Sequence, residues 1–283
     1  MRMIAVFEKN ERIRHIGHLD IQRFVQRGLR RSGLPVAYSN GFSPHILVTF
    51  ASALSTGACG KREIMDVTLS EPVTEAEFLE KMNRAMPPEM RLSEARIVDD
   101  RHPAMMATLK AASYDILIRN AEEAEEIMEA IPVLIKKDEI PAFRKTKTGT
   151  KEVDIKPMIY ALNGKGQHLY CTLALTETQT CKPSMLMEAL WRETPSGKKA
   201  KAEEEKAQAE EKAKEEQAQA REKSEDSEIK EEDRAAAATD SFGNRVRKEQ
   251  APVDRDGPVR VLVTRTMLLG EDKGGMLVPL ERL

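Results

Sequence analysis

The feature that most constrains this fold is a break in composition near the C-terminal end. From about Thr194 to Gly257 the chain passes through "KKAKAEEEKAQAEEKAKEEQAQAREKSEDSEIKEED", where aliphatic residues other than Ala nearly vanish. Such a stretch cannot bury enough apolar surface to offset the entropy of ordering it. Its Ala, Glu, Lys and Gln are good helix formers, so it reads as a helical or disordered insert without the apolar seam of a coiled coil. The strand-like run "VRVLVTRTM" follows it. A β-strand needs partners, so this last strand must return to elements that precede residue 194.

Those elements form two similar series. Met3–Phe7 is a short apolar run suited to a strand. A helix follows from about Leu19 to Ser32, with Ile21, Phe24, Val25, Gly28 and Leu29 on one face. Gly33 and Pro35 stop it. Ile46–Phe50 and Glu63–Leu69 read as strands. In the second, Met65, Val67 and Leu69 share one face and Asp66 takes the other. Thr74 with Glu77 three residues on is a capping box, and Pro87-Pro88 closes the helix it opens. Arg91–Val98 reads as a closing strand.

The second series has a strand at Tyr114–Ile118 and a helix at Ala121–Ala130, with Pro132 obscuring what comes next. Ile140–Lys145 and Lys151–Ile155 flank "TKTGT" as a hairpin. His168–Leu175 is a strand, Pro183–Trp191 a helix and Arg260–Met267 the final strand. The expected fold is α+β: two tandem ferredoxin-like sandwiches over residues 1–103 and 104–283, the second interrupted by the 194–257 insert.

Charge and chemistry narrow the function classes. Net charge is -2, so bulk charge does not make the chain a nucleic-acid binder. Residues 1–60 differ, with eight Arg/Lys against three Asp/Glu. Arg23, Arg27, Arg30 and Arg31 project from the first helix opposite its apolar stripe, as candidate phosphate contacts or as an ordinary solvated face. The hairpin adds Arg144, Lys145 and Lys147, which suit phosphate contact or protection of a sheet edge.

Ahead of the helix, "RIRHIGHLD" places His15 and His18 three apart beside Asp20. They suit a helix cap and junction hydrogen bonds better than a metal site. In "YSNGFSPHILVTF", Asn40-Gly41 marks a turn and Pro44 holds Ser43 extended. Phe42 and His45 then stand on a stiff corner, either packing the sandwich end or meeting a ligand such as a stacked base.

Cys59, Cys171 and Cys181 are sparse and odd in number, which points to reduced thiols in the cytoplasm. They form no CxxC pair and no CxxxCxxC, so no zinc site of the usual spacing and no iron–sulfur cluster is expected on this chain. The Walker, GxSxG and HExxH templates are absent. The N-terminus lacks a signal-peptide pattern, and no stretch reaches membrane-spanning length.

The stretch "GHLDIQRFVQRGLRRSGLPVAYSNGFSPHILVTFASALSTG", followed by "EIMD", resembles the radical-SAM-linked proteins of unknown function. "GTKEVDIKPMI" and the closing "VTRT" look like their second-half signatures. Carried over by position, His18, Leu19, Asp20, Tyr38, Ser39, Gly41, Phe42, Pro44, His45, Glu63 and Asp66 match the pattern. Gly17 departs from a usual Ser, and Ile46 from a frequent Pro. The resemblance implies a protein encoded beside, or fused behind, a cobalamin-type radical-SAM enzyme. Any iron–sulfur cluster, S-adenosylmethionine or cobalamin would belong to that partner.

The expectation is a non-catalytic accessory subunit that binds or presents substrate, with RNA the preferred class. The alternatives are an enzyme using His15, His18, Asp20, His45, Glu63 and Asp66 as an acid/base or metal cluster, and a structural subunit whose arginine face meets an acidic partner.

Overall fold

A computed structural model describes residues 1–146, 149–207 and 259–283, with the backbone alone at 145 and 146. The first half contains β1 (Arg2–Lys9), α1 (His18–Ser32), β2 (Val48–Phe50), β3 (Cys59–Thr68), α2 (Glu75–Ala85) and β4 (Leu92–Val98). β3 and β4 flank β1, β2 lies against β3, and every pairing is antiparallel. α1 follows its apolar periodicity, burying Ile21, Val25, Gly28 and Leu29. Gly33 ends it in the left-handed region at φ 68°, which a Cβ would disfavour. α2 opens on Thr74, whose Oγ1 accepts a hydrogen bond from the Glu77 amide at 3.2 Å.

The second half begins with the single turn α3 (Met105–Thr108), then β5 (Leu109–Ile118) and α4 (Ala121–Ile135). A separate hairpin of β6 (Pro141–Thr146) and β7 (Gly149–Asp154) follows. β8 (Ile159–Lys165), β9 (His168–Ala174), α5 (Pro183–Glu193), β10 (Val261–Glu271) and β11 (Leu277–Pro279) complete it. The strands run β10-β5-β9-β8, again all antiparallel.

The chain is α+β, and its two halves share one nine-stranded mixed sheet. The seam is short. β10 lies parallel to β3 through Thr264 opposite Cys59 and Arg265 opposite Gly60. One apolar core lies between α1, α2 and one face of β1 and β3, with Met3, Phe7, Met65, Val25, Leu29, Phe78 and Met82. The other joins Ile4, Val6 and Ile64, from the opposite face, to the core under α4 and α5.

Several elements end elsewhere than expected. β3 starts at Cys59 rather than Glu63, because β10 gives its first residues a partner. β2 is confined to Val48–Phe50, with Ile46 making an isolated bridge to Tyr38. β5 starts five residues before Tyr114, at Leu109, which pairs with Gly270. α4 continues through Pro132 to Ile135, where burial of Leu134 holds the last turn against the core. The start of the expected insert is tied to the domain. Thr194 is buried, its Oγ1 accepts from the Gly197 amide at 2.9 Å, and Ser196 Oγ donates to Glu126 at 2.6 Å. Residues 195–207 are helical, and residues 208–258 of the insert lie outside the described residues.

Candidate functional site

Three of the segments quoted above meet at the seam. "GHLD" supplies His18, "EIMD" supplies Glu63 and "VTRT" supplies Arg265. Arg265 is 2% exposed and Glu63 4%. Arg265 Nε donates to Glu63 Oε1 at 2.8 Å, and its Nη2 donates to Glu63 Oε2. The two residues are 202 positions apart in the chain. Gly60 makes this approach possible, since a Cβ there would stand 2.5 Å from the Glu63 side chain that lies over it. Burial disfavours the Arg265 charge, but the charge and hydrogen bonds of Glu63 outweigh it, and the guanidinium pKa is held above its ordinary value.

Lys9, at the end of β1, is also buried, and its Nζ donates to the Arg14 carbonyl at 2.8 Å. Burial pulls its ammonium pKa down. His18 opens α1 with its ring edge-on to Phe50, centroids 5.3 Å apart. Burial first, and then Arg265, lowers its pKa, so the imidazole is held neutral. His18, Lys9, Phe50 and Glu63 line one small void. Cys171 and Cys181 are buried, and burial pushes both thiols up to about 12, which leaves them poor nucleophiles.

The outer face of α1 is a second feature. Leu19, Arg23, Arg27 and Arg30 fall within an arc of about 80° at roughly 3.6 residues per turn. All four are exposed. Arg23 pairs with Asp20 at 3.1 Å, and Arg31, beside the stripe, donates to the Ala85 carbonyl at 2.9 Å. Arg27 and Arg30 make no ion pair with any described residue.

The other expected site residues disperse. His15 is exposed. Asp66 lies on the opposite face of β3 from Glu63 and pairs with Arg2. In the 38–45 loop, His45 Nδ1 meets Ser39 Oγ at 2.8 Å, and the Ser39 amide donates to the His45 carbonyl at 2.8 Å. Gly41 turns that loop at φ 118°, a conformation other residues rarely take. Pro44 is exposed, Tyr38 half-exposed and Phe42 fully exposed, so Phe42 does not plug the sandwich. The loop leaves the sheet beside Thr68, whose carbonyl accepts from the Ala37 amide, while the Glu63–Arg265 pair sits toward the other end of β3. On the hairpin, Arg144 is exposed, Lys145 is described by its backbone alone and Lys147 lies outside the described residues.

Lys9 and Arg265 were missing from the expected set. The signal for Arg265 was a lone cation inside the apolar run "VLVTRTM", which a strand tolerates only when the charge is matched. Among the described residues, no three or more His, Cys, Asp or Glu side chains are grouped to hold a metal ion. No helix is long and apolar enough to cross a membrane among those residues.

Residues 2–183 match the family described as an uncharacterized protein conserved in bacteria, DUF2344. The chain belongs to that family. The DUF2344 match takes in His18, the 38–45 loop, the α1 arginines and Glu63, and it stops before β10 and Arg265. No curated protein matches the chain.

Proposed function

We propose that this DUF2344 protein is a non-catalytic subunit that binds RNA and presents it to a radical-SAM enzyme. The observation that carries the reading is the exposed arginine stripe on α1, where Arg27 and Arg30 have no carboxylate partner among the described residues. Guanidiniums left free along one helix face suit a row of phosphates. Fully exposed Phe42, on a loop turned by Gly41 and stiffened by Pro44 and the Ser39–His45 bonds, supplies a face on which a base could stack. The radical-SAM partner rests on the sequence resemblance alone. The matching antiparallel orders β4-β1-β3-β2 and β10-β5-β9-β8 support reading each half as one ferredoxin-like sandwich.

A second reading makes the chain an enzyme in its own right. The meeting of His18 and Glu63 favours it. Against it, both Glu63 oxygens are taken by Arg265, so the Glu63 carboxylate is not free to act as base.

The test is binding of a labelled single-stranded RNA between about 50 and 200 mM salt, alongside co-purification with the neighbouring radical-SAM protein. With three to four phosphate contacts the log–log salt slope is about -2 to -3, and Arg27→Glu with Arg30→Glu flattens it by about 1.4. Both positions are exposed, so thermal stability stays unchanged. Salt-sensitive binding to the protein partner but not to RNA would select a structural subunit instead. Loss of both kinds of binding would remove the proposal.

A further inference from the structure

A cavity of about 400 Å³ opens beside the seam, between the 53–58 loop and the start of α5. That volume is in the range of small-molecule sites, roughly 300–1,000 Å³. Its walls are largely apolar, with Val261 and Val263 of β10, Met187 of α5 and Ala58 of the loop. Its rim is solvent-exposed at Ser55, Thr56 and Lys182. At the buried end stand Arg265 and Tyr114.

Arg265 is the buried charge at that end, and Glu63 is its ion partner. Lys9, a second buried cation, lines the small void with Glu63 rather than this cavity. Glu188 also lines the cavity, but its carboxylate is engaged by Arg192. Glu63 occupies Nε and Nη2 of Arg265. The remaining edge, Nη1, makes a 3.2 Å bond to Ser52 Oγ and a 3.4 Å bond to the Ala53 carbonyl, and the neutral Tyr114 hydroxyl also bonds the guanidinium. A guanidinium edge with long neutral partners, at the end of an apolar cavity, suits an anionic head on an apolar body.

We infer that this cavity binds a small organic monoanion, with its carboxylate or similar head against Arg265 and its apolar body along Val261, Val263 and Met187. The inference is independent of the RNA reading, because it uses no residue of the α1 stripe or the 38–45 loop.

The experiment titrates the full chain with benzoate, and in parallel with its neutral isostere benzamide, and follows the methionine methyl resonances by NMR. Benzoate should shift the Met187 methyl saturably, bind at least tenfold more tightly than benzamide, and leave Met86 in the other core unmoved. Val263→Phe fills the cavity while keeping Arg265 and Glu63, and it should abolish the shift. Should that variant fold poorly, Val261→Phe serves the same purpose. The inference is overturned if the Met187 methyl stays unmoved up to about 20 mM benzoate, roughly 20 times a Kd of about 1 mM and enough to saturate such a site. It is overturned equally if benzamide binds as well as benzoate, or if a folded cavity-filled variant still binds.

Discussion

At the scale of single residues, the Arg265–Glu63 pair decides most. Removing one partner leaves the other charge buried and unmatched, so Glu63→Gln should cost about 3–5 kcal/mol in urea unfolding, while Glu63→Met with Arg265→Met together should come close to neutral. Equal losses in the single and double variants would show that the pair is not what holds the seam. His18 gives a pH signature. Its pKa is lower folded than unfolded, so the unfolded chain takes up the proton first as pH falls. The stability tied to its neutral form is complete above about 6.5 and is lost as pH drops below that value. Denaturation midpoints of the wild type and His18→Gln should therefore converge or cross between about pH 7.5 and 5. A constant difference across that range would remove the assignment.

This centre was half legible. His18 and Glu63 stood in the expected cluster, but so did Asp66, which the two-residue period of a strand puts on the other face from Glu63. Nothing local pointed to Arg265 as their partner, because the pairing depends on which strand ends up beside β3.

At the scale of elements, helices were read more securely than strands. The α1 face, its Gly33 stop and the Thr74 cap on α2 all follow from side-chain spacing within one segment. Element ends depended on neighbours: β3 begins early because β10 reaches it, and α4 runs past Pro132 because Leu134 is drawn into the core. α1 and α2 also meet at a point the pattern reading placed on the buried face without saying why a glycine stood there. A Cβ on Gly28 would sit 2.5 Å from Met86 Sδ. Gly28→Val should cost about 1–3 kcal/mol through overpacking, measured by thermal or urea unfolding. Gly28→Ala should cost less, since Met86 can swing aside and Ala favours the helix. A Val variant as stable as wild type would mean that the helices separate freely there.

At the scale of the whole molecule, the repeated series of strands and helices was visible in the sequence, but the fusion into one sheet was not. Two residue pairs make the seam, too few to leave any periodicity behind. The composition break told where the last strand begins and that it must return. It did not tell that β10 would serve both halves, closing one series beside β5 and sealing the edge of β3 in the other.

That shared strand has a consequence in time. Glu63 leaves the ribosome 202 residues before Arg265, about 10–40 s earlier at roughly 5–20 residues per second. Through that interval the start of β3 is an unsealed edge, and a carboxylate destined for burial waits for its cation. The first half can gather its own core early, but the whole sheet closes only when the newest strand arrives. Nascent chains stalled before residue 261 should therefore be the ones that other sheet edges capture.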